Sequence, residues 1–206
     1  MNLTKENCIQ QIEDRLRGKD LEETITDYYQ STGREADFKN RGIYGQFTEE
    51  YCFDQKPNSI AGRDLPWAEV KTKKTKVTKD GILSFSNNTP ITSICRESFN
   101  QKSFDHSTLL DKVESVLWMF YEKQFICAKI TESDDSMISE LEKMYGSLST
   151  ISKKRSITDE EFYYNELIAY QQSDIFYVHR KRSGDKVIGL SIEFKARYCR
   201  EVANEA

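Results

Sequence analysis

The chain has 206 residues, 37% of them hydrophobic and 31% charged, with 11 Tyr, 11 Phe and 2 Trp; this apolar mass suffices for a packed core and excludes a disordered chain. A formal net charge of −4 argues against indiscriminate affinity for polyanions, and no run approaches the roughly 18 apolar residues of a membrane span. The charged amino terminus MNLTKENCIQQIEDRLRG excludes a secretory signal, so the expectation is a cytoplasmic protein with no membrane partner, a single domain across residues 1–206.

Ile9, Ile12 and Leu16 recur at helical spacing and predict a helix over 3–17 that stops at Gly18. A second helix is expected over 21–30. In RGIYGQFTEEYCF, Ile43, Phe47 and Tyr51 fall four apart, which predicts a helix over 41–53 with one buried stripe and with Gln46 and Glu49 on another face. WAEVKTK and ILSFS read as the two strands of a hairpin about the turn signal Asp80-Gly81. SVLWMFYEK and QFICAKI, within 115–130, are apolar strands of the kind that fill a covered sheet. ITESDDSMISELEKMYG predicts a helix ended by Gly146, and TDEEFYYNELIAY a further helix opened by Thr158 and Glu161 as a capping box. DIFYVHRKR and VIGLSIEF are strands about the turn SGD, and KARYCREVANEA is a closing helix. This order predicts an α/β (α+β) domain, a central mixed β-sheet flanked by helices.

Five cysteines without a CxxC spacing, in a chain with no export signal, are expected to be reduced thiols. Two histidines, His106 and His179, are too few and too far apart for a histidine metal site, and an isolated histidine is more commonly structural than a general base. Any metal is therefore expected on oxygen. Glu69 and Lys71 are two apart, so on a strand they share a face while Val70 turns to the core. Asp64 comes five residues before Glu69, across Pro66. With a bend there, Asp64 and Glu69 together suit a hard cation such as Mg²⁺, and the Lys71 ammonium beside them can orient or help deprotonate an attacking water.

Charge is unevenly spread. Residues 71–79 carry Lys73, Lys74 and Lys76 besides Lys71 and Lys79, and residues 180–200 carry Arg180, Lys181, Arg182, Lys195 and Arg197 among seven bases. A solvated face is the plain account of either run; phosphate binding behind a carboxylate site is the functional one. The D…ExK pattern has a decoy in the same chain, Asp185, Glu193 and Lys195 of GDKVIGLSIEFK.

RGIYGQFTEEYCFDQKPNSIAGRDLPWAEVKTK decides between them, because it resembles the core of MutH-type endonucleases. These are a branch of the PD-(D/E)xK nucleases that includes a mismatch-repair nicking enzyme and GATC-cutting restriction enzymes. In that family a helix with a GQ-x-x-E pattern, here Gly45, Gln46 and Glu49, precedes the D…ExK strand. STLLDKVESVLWMFYEK is similar to the segment in which a lysine, here Lys112, sits just before an apolar strand. SIEFKARYCREV is similar to the last strand and helix.

The resemblance implies a restriction-endonuclease-like fold with Glu49, Asp64, Glu69, Lys71 and Lys112 as catalytic residues. It implies Mg²⁺ on Asp64 and Glu69, and double-stranded DNA as partner of a monomer or transient dimer. Glu49 is expected to orient a lysine or a water, and Lys112 to stabilise charge on the phosphate. The tight turn in VHRKRSGDK, 178–186, is expected to carry Arg180, Lys181 and Arg182 to the major groove, with phosphate holding as the alternative. The implied activity is a Mg²⁺-dependent type II restriction endonuclease cutting at GATC; the alternatives are a partner-activated nicking enzyme and an inactive DNA-binding domain. Three departures stand out, the first being the short interval from Asp64 to Glu69. Arg63 precedes Asp64 where the family has proline, and Glu193 stands where the mismatch-repair enzyme has an aromatic residue that reads methylation, which counts against hemimethylation sensing. Residues 131–172 have no counterpart by resemblance. Arg41 to Gly45 also spells the RGIYG of a GIY-YIG nuclease, but no second Tyr-x-Gly strand follows and the spacing is helical.

Overall fold

The computed structural model describes residues 4–40, 42–56, 63–94, 103–154, 173–183 and 186–205. The chain divides into two compact units, Met1–Phe85 with Ser115–Thr131 and Ala206, and Ser86–Glu114 with Glu132–Glu205.

The first unit begins with α1 (Lys5–Leu16) and α2 (Leu21–Ser31). Gly18 separates them at φ 75, a conformation that glycine adopts without strain. Asp20 caps α2 by accepting the Glu23 N–H at 3.1 Å, and that bond, with Lys123 beside it, lowers the Asp20 pKa from its ordinary value. Next comes α3 (Ile43–Phe47), which continues into a π-wound turn, Thr48–Cys52. The helix from Ile43 onward removes the strand that a GIY-YIG nuclease needs there.

Two strand systems follow. β1 (Glu69–Lys74) does not form the expected hairpin; it pairs in parallel with β5 (Ser115–Tyr121), Glu69 opposite Val116 and Lys71 opposite Trp118. The hairpin about Asp80-Gly81 is instead made by the short β2 (Lys76–Val77) and β3 (Leu83–Ser84), with Gly81 at φ 78. The reason lies in β5, every residue of which is buried: only a central strand with neighbours on both sides satisfies its backbone there. β6 (Phe125–Glu132) takes the other side, giving a mixed sheet in the order β1-β5-β6. Leu117, Met119 and Tyr121 of β5 and Val70 of β1 join Cys8, Ile12, Leu16, Ile25, Phe47 and Cys52 in one core, so the three helices cover one sheet face. On the other face Trp118 and Phe120 stack at 6.2 Å.

The second unit holds an antiparallel sheet in the order β4-β8-β7, from β4 (Thr89–Ile94), β7 (Phe176–Ser183) and β8 (Lys186–Phe194). α4 (Thr108–Asp111) ends at Lys112, just ahead of β5. α5 (Asp135–Lys154) runs through Gly146 rather than stopping there. Leu141, Met144, Tyr145 and Leu148 are all buried, a stripe that continues past the glycine; its burial outweighs the roughly 1 kcal/mol helix penalty of one Gly relative to Ala. α6 (Ala196–Asn204) closes the chain as expected, burying Cys199 and Val202. The helix expected at 158–170 lies outside the described residues, as do Gly184 and Asp185 of the SGD turn. Among the described residues no helix is long and apolar enough to cross a membrane.

Candidate active site

Strand alternation on β1 sends Glu69, Lys71 and Lys73 to the face shared with Trp118 and Phe120, and Val70 and Lys74 to the helix-covered face. Lys71 Nζ donates to Glu69 Oε1 at 2.8 Å, with the two side chains only 14% and 3% exposed. A lysine this shielded needs its carboxylate, and the carboxylate needs its lysine.

Asp64 reaches the same end of the strand through a tight bend. Leu65 N–H donates to Ala68 O at 2.8 Å, folding the segment around Pro66, and the Asp64 carboxylate then accepts the Val70 N–H at 2.9 Å. The bend expected across Pro66 is therefore present, and it brings Asp64 and Glu69 to the head of β1. Leu65 and Ala68 are buried in the helix-side core and anchor it.

Glu49 lies in the π-wound turn and is 8% exposed. Its turn follows α3, which packs on β1. The expected stripe of Ile43, Phe47 and Tyr51 is modified here. The wider winding buries Thr48, Glu49 and Cys52 and leaves Tyr51 half-buried. Such turns recur at functional sites. Lys112 belongs to the second unit.

The lysine run does not act as one patch. Lys73 is buried, with its ammonium 5.0 Å from the Phe85 ring centroid. Lys74, on the opposite face, pairs with Glu22 at 3.4 Å, and Lys76 is exposed on β2. Arg180, Lys181 and Arg182 fall in the last part of β7, opposite Leu190, Gly189 and Val187 of β8. They stand on the strand that leads into the turn rather than in the turn itself. Lys195 donates to the Ser173 carbonyl, and Arg197 bonds Glu201 at 3.1 Å and Asp174 at 3.5 Å. The decoy motif thus has its lysine committed to the backbone, while Glu193 accepts from Ser191 at 3.3 Å and lies 3.8 Å from His179. The first D…ExK string makes its carboxylate–lysine bond directly.

A further polar cluster, around Glu50, has no signature in the sequence. Glu50 accepts hydrogen bonds from both terminal nitrogens of Arg34 and, at 3.1 Å, from the Tyr28 hydroxyl. Arg34 holds the Glu50 carboxyl below its ordinary range, whereas burial first, and Glu50 second, raise the Tyr28 phenol. Arg34 also stacks 4.5 Å over the Tyr29 ring. No spacing in the sequence links position 34 to position 50; only the adjacency of two glutamates hinted that one needed a partner.

Among the described residues no group of three or more His, Cys, Asp or Glu side chains converges on a point. The donor set at β1 is two carboxylates, which fits Mg²⁺ because that ion keeps several waters and takes only one or two protein oxygens.

A mixed sheet covered by helices, with a carboxylate–lysine pair at the head of a strand that follows a tight acidic bend, defines a restriction-endonuclease-like fold. Residues 53–139 match the family model described as DNA mismatch repair enzyme MutH, so that stretch of the chain is similar to the MutH-type endonucleases. The matched stretch contains Asp64, Glu69, Lys71 and Lys112 and begins just after Glu49. No curated protein matches the chain.

Proposed function

We propose that this protein is a Mg²⁺-dependent endonuclease that hydrolyses phosphodiester bonds of double-stranded DNA at a specific short sequence, as a type II restriction enzyme does. The observation that carries the reading is the Lys71–Glu69 bond at 2.8 Å beside the Asp64 bend. Asp64 and Glu69 would hold the ion, which when bound supplies positive charge to the phosphoryl oxygens and acidifies water. Lys71 is placed to orient a water and, through the charge of its ammonium, to favour loss of that water's proton to solvent. Glu49 orients these groups, and Lys112 stabilises charge on the phosphate. The exposed Lys76 and Arg197 contribute phosphate contacts, and Arg180, Lys181 and Arg182 read bases.

GATC is the target that the MutH-type resemblance favours. We read residues 1–206 as one endonuclease domain, because the matched stretch 53–139 passes through both compact units. The enzyme works in the cytoplasm as a monomer or as a transient dimer on DNA. The matched family's description as a mismatch repair enzyme favours a second reading, a nicking endonuclease activated by a partner. Glu193, in place of an aromatic residue, favours restriction. An inactive DNA-binding domain would have no use for Asp64, Glu69 and Lys71 together.

Supercoiled plasmid DNA carrying GATC sites, incubated with the purified chain and Mg²⁺, separates the readings. Linear product with wild-type protein and none with Asp64→Ala supports restriction; open circles alone support nicking; intact plasmid despite tight binding supports the inactive domain.

A further inference from the structure

Glu49 and Glu50 are neighbours on one π-wound turn, so the winding of Thr48–Cys52 decides where each carboxylate points. Two sets of bonds hold that winding from outside. Arg34 grips Glu50 through both terminal nitrogens, one of them at 2.9 Å, while Tyr28 donates to the same carboxylate. At the far end α1 reaches the last carbonyls: Gln11 Nε2 donates to Cys52 O at 2.7 Å, and Arg15 donates to Tyr51 O and pairs with Asp54 at 3.2 Å. Asp54 itself has φ 54, a left-handed residue that ends the helix. Its N–H bonds Glu50 O, and that of Gln55 bonds Glu49 O, reaching back six residues where a Schellman cap reaches five, as the wider winding requires.

We propose that Arg34 is a positioning residue: by clamping Glu50 on the outside of the turn it sets the register that presents Glu49, and not Glu50, to the Asp64–Glu69–Lys71 end of β1. The inference rests on the assignment of Glu49 to the active site made above. A relaxed turn swings Glu49 out of place while the rest of the first unit stays folded. The clamp lies at the surface, lining with Thr32, Asp54, Gln55 and Lys56 a cavity of about 570 Å³.

The test is a mutant cycle read as single-turnover cleavage of plasmid DNA with Mg²⁺, alongside DNA affinity and thermal unfolding of the full chain. Arg34→Ala is expected to slow cleavage about 10- to 100-fold, the cost of misplacing an active-site group by an ångström, and to leave the Kd for DNA within twofold. Glu50→Gln, which keeps the shape and weakens the clamp, is expected to slow it in the same direction. In a Glu49→Gln background, Arg34→Ala should cost nothing further, because a positioning residue has no effect once the group it positions is gone. The exchanged pair Arg34→Glu with Glu50→Arg should recover part of the rate. Multiplied losses in the double variant, or a normal rate for Arg34→Ala and Glu50→Gln beside an impaired Glu49→Gln, would overturn the clamp and leave the function standing. A normal rate for Glu49→Gln would overturn the role of Glu49 and the clamp with it.

Discussion

Replacing Lys71 by Met removes the cation from a carboxylate that is 3% exposed. At 2.8 Å and an effective dielectric of about 20, the gross attraction being lost is about 6 kcal/mol. Breaking one side of a buried pair typically costs about 3–5 kcal/mol, and the 14% exposure of Lys71 argues for the lower end, about 3 kcal/mol. For a chain of this length that lowers the unfolding midpoint by roughly 6–12 °C. Thermal unfolding followed by circular dichroism without divalent ions measures it. Two further arms isolate the cause. Lys71→Met combined with Glu69→Gln should recover most of the loss, since a pair neutralised on both sides is nearly isoenergetic with the original. Mg²⁺ should raise the midpoint of Lys71→Met more than that of the wild type, because the ion replaces the missing ammonium beside Glu69. A Lys71→Met midpoint within a degree or two of wild type, or a double variant no more stable than the single one, would refute the reasoning.

Asp64→Asn keeps an oxygen to accept the Val70 N–H, so it should fold like the wild type yet lose cleavage, measured by melting and plasmid assay together. Acid should erase the Arg34 clamp: the Glu50 pKa is lowered in the folded chain, so its stabilisation is present above the ordinary carboxylate range and is lost as pH falls through the depressed value. The stability difference between wild type and Arg34→Ala, followed by urea unfolding, should therefore be largest at neutral pH and shrink at low pH. Burial pushes the Cys52 thiol up to about 12, and Cys8 and Cys199 are also buried, so alkylation of native protein, mapped by mass spectrometry, should reach Cys127 before these three. On DNA, Arg180→Ala or Arg182→Ala should lose about 1–3 kcal/mol on the cognate site alone, whereas Lys76→Ala should weaken every duplex alike and reduce the salt slope by about one. Titrations on cognate and scrambled duplexes at two salt concentrations distinguish them.

Much of this protein is written in local patterns. Ile9, Ile12 and Leu16 announce α1, Asp80-Gly81 announces a turn, and the two-residue interval between Glu69 and Lys71 puts both on one face wherever that strand is placed. These features depend on dihedral preferences and on periods of 3.6 and 2, which neighbouring residues carry by themselves. The strand's partner was not legible in this way. β1 chooses β5 over the nearby ILSFS because burying a fully apolar strand requires a neighbour on each side, a condition set by the whole core. The same alternation that joins Glu69 to Lys71 divides the lysine run, sending Lys73 to one face and Lys74 to the other, where composition alone showed a single basic patch. Gly146 reads as a helix stop, but the stripe of Leu141, Met144, Tyr145 and Leu148 carries α5 past it, since burial outweighs a local propensity. The π-wound turn at Glu49 is bonded by Gln11, Arg15, Tyr28 and Arg34, all distant in sequence. Residue types and intervals therefore select the chemistry that the segment can carry, and packing between segments far apart in the chain decides which strand β1 pairs with and which groups bond Glu50.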